Sequence, residues 1–231
     1  MAKPDIFITP VFSAGPFIIT STVVVTWGIM AVLGLAAWGS TRRLKLDPGR
    51  WQVVVEGVVL AIEDAIRAVL PDRPHRLLPF IATLWILIVV ANLVSLIPGL
   101  RSPTGDLSFT AALAILVFLA VHWYGIRTHG LKNYLSHYLK PNPLLLPFHI
   151  ISEISRTLAL AVRLFGNIFS LQMAALLVLL VAGFLAPVPV LMLHIIEALV
   201  QAYIFGMLAL IYVAGAIQTQ QVKHREEREV V

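Results

Sequence analysis

Polar residues recur at helical spacing along one largely apolar stretch, His149 to Gln172 (HIISEISRTLALAVRLFGNIFSLQ). Arg156, Arg163, Asn167 and Ser170 follow one another at spacings of seven, four and three, which places them in a single stripe if the stretch is helical. Arg163 has Ala159 to Val162 before it and Leu164 and Phe165 after it. A guanidinium stays protonated at any physiological pH. Holding it near the centre of a bilayer costs between about 2.5 and 17 kcal/mol. Arg156 reads as an arginine whose head snorkels to the interface. Arg163 lies too deep in apolar sequence for that, and an intramembrane arginine marks a functional site.

A second constellation sits near the end of the chain. His194, Glu197 and Gln201 are spaced by three and four, so they share a helix face. Histidine and glutamate can both titrate, and such groups near an arginine are material for a proton relay. The plainer alternative is that they satisfy one another and hold two helices together. Gln172, Glu153 and His149 add polar or titratable groups to the first stretch. Asn92 and Asp106 stand at the ends of apolar runs, where helix capping is as good an account as an ion path. Tyr203 and Tyr212 read as packing or interfacial residues. No His-Glu-x-x-His and no phosphate-binding glycine loop occurs, so neither a metal site nor nucleotide binding is expected.

These residues need elements to position them, and the composition says which. The 231 residues are 59% hydrophobic and 13% charged, against about 25% charged in soluble domains. The apolar residues come in runs of about twenty, the length that crosses a bilayer as helix. An all-α polytopic membrane protein follows, since lipid leaves no partner for open strands or loops. The net charge of +5 fits a positive-inside bias and not a nucleic-acid footprint. No cysteine is present, which rules out disulfides and thiol ligation.

Five crossings are expected: about Phe17 to Trp38, about Leu78 to Ile97, about Leu107 to Ile126, and two long helices, about Pro147 to Gly183 and Pro189 to Gln220. Each long helix would extend on the order of 45–55 Å, so both must tilt strongly, lie partly in the membrane plane or project from it. Trp51 to Leu70 carries Glu56, Glu63, Asp64 and Arg67 and reads as one amphipathic helix at the interface or packed on other spans. Arg42, Arg43, Lys45 and Arg50 follow the first apolar run, and the tail Lys223 to Glu229 is charged. Both place the N-terminus outside and the C-terminus in the cytoplasm of an inner membrane. The chain divides into spans and interfacial helix (1–140), a long hairpin (141–222) and a tail (223–231), all one membrane domain.

The segment LALAVRLFGN, Leu158 to Asn167, resembles the signature of subunit a of the F-type ATP synthase. The stretch from Asn92 to Asp106, with NLVSLIPG and then PTGD, is similar to a second motif of that family in the right order. The resemblance covers roughly Asn92 to Ile217. It implies an ion-translocating stator that is not catalytic by itself, with two offset half-channels and Arg163 opposite a carboxylate of the c-ring. Asn167 and Gln201 match the polar residues that accompany the arginine, and His194 matches the titratable residue of the last helix. Glu197, Gln172, Ser170, Glu153 and His149 complete the expected ion path. Many family members carry Glu where His149 stands, Pro where Thr157 stands, and an acidic residue or His where Gln172 stands. The implied partners are c-ring proteolipids, b-type peripheral stalk subunits, membrane lipids and, indirectly, the soluble catalytic sector. No cofactor is implied, and the ion is H+ or Na+. Two other readings are a secondary transporter with an anion-binding arginine and a structural subunit of a respiratory complex.

Overall fold

The computed structural model describes residues 10–14, 17–42, 49–71, 74–97, 100, 102–130, 146–183 and 188–229. Six α-helices are found among the described residues: α1 (Ser21–Thr41), α2 (Arg50–Val69), α3 (Pro74–Leu93), α4 (Leu107–His129), α5 (Leu146–Ala182) and α6 (Val188–Glu229). All but α2 are long and apolar enough to cross a membrane. The 37 residues of α5 and 42 of α6 amount to about 55 and 63 Å of helix. They greatly exceed a hydrocarbon core of about 30 Å.

The first crossing begins later than its apolar run suggests. Phe17–Thr20 is a strand, β2, paired antiparallel with β1 (Pro10–Ala14). A bulge between Pro10 and Phe12 shifts the register. Thr20 then caps α1 in extended conformation. At the other end, α6 runs on through the charged tail to Glu229 rather than stopping near Gln220. The run KHREERE holds good helix formers, and nothing in it breaks a helix.

Exposure is inverted relative to a soluble protein. Trp27, Leu35, Leu158, Leu180 and Val181 are among many large apolar side chains left uncovered, as expected where the surrounding medium is hydrocarbon. The buried core joins α2 through α6, with Ile66, Leu77, Ile88, Val117, Leu164, Phe205 and Val213 at its centre. Small residues on α6, Ala198, Ala202, Ala209 and Ala214, are all buried and let neighbouring backbones approach closely. Gly206 is the tightest case: a Cβ there would lie 1.6 Å from Trp85 Nε1. The indole fills that space, stacks on Tyr203 at 5.8 Å between centroids, and donates to the Tyr203 carbonyl at 3.3 Å.

The helix α2 is amphipathic as its pattern predicts. Ile62 and Ile66 are buried, while Glu63 accepts from Arg67 at 2.6 Å and Glu56 from Gln52 at 2.7 Å. At the end of α1 the Arg42 guanidinium lies 4.2 Å from the Trp38 ring centroid, a pairing suited to a membrane interface.

Candidate functional site

On α5 the buried residues are Leu160, Ala161, Leu164 and Ile168. Their spacing of one, three and four turns one face inward, so the intervening positions face away from the core. Arg156, Arg163 and Ser170 are accordingly exposed. Arg163 makes no hydrogen bond or ion pair with any of the described residues. Leu158 and Val162, 59% and 57% exposed, flank it with hydrocarbon. An unpaired cation is thus presented on an apolar surface of a membrane-length helix.

Asn167 is the stripe member that turns inward. Its Nδ2 donates to Gln201 Oε1 at 2.6 Å, tying α5 to α6 one turn from the arginine. Gln201 is 1% exposed, and its Nε2 has no hydrogen-bond partner among the described residues. A buried donor left unpaired costs about 1–3 kcal/mol, so this amide is an unmet polar group at the contact of α5 with α6. Arg156 is held differently: its guanidinium stands 4.5 Å from the Tyr212 ring centroid on α6.

The shared face of His194, Glu197 and Gln201 is divided among different partners. Instead of bonding to its helix neighbours, His194 reaches α3, 3% exposed, with Nε2 2.6 Å from Ser95 Oγ and 3.2 Å from the Asn92 carbonyl. Asn92 is fully buried and forms the hub of a polar knot. Its Nδ2 donates to the Ala198 carbonyl at 3.1 Å, and its Oδ1 accepts from Thr104 Oγ1 at 2.7 Å. Ser102 donates to the Ala91 carbonyl at 2.7 Å and sits against Thr104. Glu197 is half-buried and joins none of this. Thus the described hydrogen bonds of His194 run to Ser95 and Asn92 rather than to Glu197 or Gln201 on its own helix face.

Asp106 is a helix cap, its Oδ1 accepting from the Ser108 amide at 2.9 Å, and a carboxylate there also complements the helix dipole. The same turn brings Gln172 close: a Cβ on Gly105 would lie 2.9 Å from Gln172 Oε1. Ser95, Ser102, Asp106, Ser108 and Gln172 line an open cavity of about 530 Å³, so polar groups from three elements converge there. Gln172 stands nine residues beyond Arg163, about 13 Å along the helix axis.

Ten residues before Arg163, about 15 Å in the other direction, Glu153 Oε2 lies 3.4 Å from His122 Nε2 of α4. His149 is exposed one turn further. The importance of His122, Ser95, Ser102 and Thr104 was not read from the sequence. His122 is the lone histidine or charged residue between Leu107 and Ile126, and that was the signal available. Among the described residues no three His, Asp or Glu side chains gather as metal ligands.

A bundle of five membrane-length helices, with an exposed unpaired arginine between two polar regions, defines an ion-handling membrane subunit. The family described as ATP synthase A chain matches residues 22–214. ATP synthase subunit a 2 of Pelobacter propionicus is 62% identical over 218 residues, covering 94% of this chain and 96% of that one. ATP synthase subunit a 1 of Hahella chejuensis is 66% identical over 211 residues, 91% and 90% of the two chains. ATP synthase subunit a of Legionella pneumophila is 59% identical over 217 residues, 94% of each. The chain belongs to the ATP synthase A chain family, a non-catalytic, ion-translocating membrane subunit of the F-type ATP synthase. Membership sets aside the transporter and respiratory-complex readings.

Proposed function

We propose that Arg163 is the stator charge of this subunit and faces a carboxylate on each c-ring proteolipid as it passes. One observation carries this reading: an unpaired guanidinium on an exposed apolar face of α5. A neighbouring chain with a mid-membrane carboxylate compensates that charge, and lipid cannot. At 4 Å and an effective dielectric near 20 the attraction is about 4 kcal/mol. That is the same order as the roughly 2.3 kcal/mol per charge that 100 mV supplies. The contact therefore favours the ionised carboxylate and release of its ion without trapping the ring. It also bars direct leakage between the two sides.

In this reading the cavity beside Gln172, with the knot around His194, serves the outer half-path. The region from Glu153 to His149 serves the inner half-path, with Asn167 and Gln201 holding the hairpin at the arginine. Glu197 and Ser170 lie along the same route. The basic residues Arg42, Arg76 and Arg127 at one end of the bundle support an orientation with that end in the cytoplasm of a bacterial inner membrane. The N-terminus is then outside and the C-terminus inside. The hairpin of α5 and α6 faces the ring, and the N-terminal helices and α2 face lipid and the b-type stalk. The translocated ion is H+ or Na+.

The test is ion-driven ATP synthesis in vesicles carrying the whole complex with Arg163→Ala or Arg163→Lys. Coupled synthesis is lost in Arg163→Ala and strongly reduced in Arg163→Lys, with the complex still assembled. Near wild-type synthesis in both returns Arg163 to a packing role.

A further inference from the structure

The pair formed by His122 and Glu153 has a property that the polar knot lacks. His122 Nδ1 lies 2.9 Å from the Phe118 carbonyl, one turn earlier on α4. A carbonyl oxygen can only accept, so the bond requires the proton to be on Nδ1. That leaves Nε2 with a lone pair, and it faces a carboxylate oxygen at 3.4 Å. Two lone-pair atoms at that separation repel unless one proton stands between them. The Phe118 ring packs against the imidazole in a tilted arrangement, 4.3 Å between centroids and 47° between planes, and restrains the ring from turning away.

From this geometry we infer that His122 and Glu153 form a dyad that holds one proton in the ion path on the cytoplasmic side of Arg163. The proton resides on Nε2 as an imidazolium–carboxylate pair, or on Oε2 as an imidazole–carboxylic acid pair. The cycle starts from the Nδ1–H imidazole beside the bare carboxylate, net charge −1, and a proton arriving from the rotor side fills the Nε2 lone pair to give the one-proton, net-neutral dyad. Loss of that proton to the cytoplasm restores the starting charge, so charge and atoms balance over the cycle.

The surroundings suit such a step. Side chains of His122 and Glu153 are 28% and 24% exposed, neither sealed in the core nor open to bulk solvent. A cavity of about 20 Å³ adjoins them, lined also by Arg156, Thr157 and Tyr212, and has room for about one water molecule. The charged and titratable groups facing the dyad are Arg156 from α5 and Tyr212 from α6, with His149 one turn away on α5 and Arg127 further along α4. Arg156 is engaged by the Tyr212 ring, and its positive charge repels a second proton. It therefore favours release, and the dyad passes on one proton at a time.

This inference rests on the reading of the chain as an ion path, and the experiment separates the two. ATP synthesis and ATP-driven proton pumping are measured in vesicles carrying the whole complex, as a function of pH on the cytoplasmic side. The variants are His122→Gln, Glu153→Gln, the double variant, Glu153→Asp and Arg163→Ala, with rotor co-purification checking assembly. The expected result is turnover slowed by roughly tenfold or more in each single Gln variant. One titration step disappears from the pH profile, the double variant is no worse than the singles, and Glu153→Asp partly recovers. Slowed turnover with an unchanged pH profile, or additive single effects, overturns the dyad in favour of a structural latch. So does turnover driven by a Na+ gradient that is indifferent to both substitutions. Retained coupling in Arg163→Ala would instead contradict the stator reading, whatever the dyad variants do.

Discussion

The polar knot around Asn92 and the pair of His122 with Glu153 lie on opposite sides of Arg163, and they are built on opposite principles. In the knot, amides and hydroxyls from α3, α6 and the turn before α4 satisfy one another at 2.5 to 3.2 Å. No member but His194 can change its charge. The pair has two ionisable groups at 3.4 Å and only partial burial. A satisfied neutral network holds a geometry, because breaking any member orphans the rest. A charged pair holds a protonation state and yields it when the local potential changes. On the proposed reading, the knot positions groups on one side of the arginine and the pair exchanges a proton on the other.

Substitutions can sharpen or break that contrast. The largest effect is expected from Asn92→Leu, which takes the Asn92 acceptor from the Thr104 hydroxyl, leaving it Ser102, and removes the donor to the Ala198 carbonyl. At about 1–3 kcal/mol for each buried group, the assembled complex should melt several degrees lower and coupled flux should fall. A melting temperature equal to that of wild type would show that the knot is not what holds α3 on α6. Next is Gly206→Ala, whose methyl collides with Trp85. Overpacking of this kind costs about 1–3 kcal/mol. Adding Trp85→Leu should return part of it, and failure of that rescue would mean that the two sites do not touch.

Smaller effects are expected where one contact joins two helices. Tyr212→Leu removes the ring beneath Arg156, worth about 0.5–2 kcal/mol, while Tyr212→Phe keeps the ring and should be nearly silent. Equal losses in both would point to the hydroxyl instead. A double-mutant cycle of Asn167→Leu with Gln201→Leu should give a coupling of about 0.6–1.7 kcal/mol, read from thermal inactivation of the complex. A coupling of zero would deny the hydrogen bond.

Much of this was legible in the chain. The intramembrane charge at Arg163, the stripe it belongs to, the five crossings and the amphipathic α2 follow from periodicity and from what lipid tolerates. What could not be read was which residue meets which across long separations. His194 finds Asn92 and Ser95 about a hundred positions away, and no local spacing announces that. His122 looks like an ordinary histidine in an apolar run until α5 brings Glu153 beside it. The β1–β2 ribbon escaped notice because Phe17–Thr20 is as apolar as the helix that follows, so hydropathy alone could not mark the change of backbone.

The central claim is that the exposed stripe of α5 meets the rotor. It is tested most directly by cross-linking, since the chain has no native cysteine. Val162→Cys and Leu158→Cys, on the exposed face, should form disulfides with a single cysteine placed beside the proteolipid carboxylate. Leu164→Cys, fully buried, should not. Cross-linking from Leu164 alone, or none from Val162 and Leu158 in an assembled complex, would contradict the account.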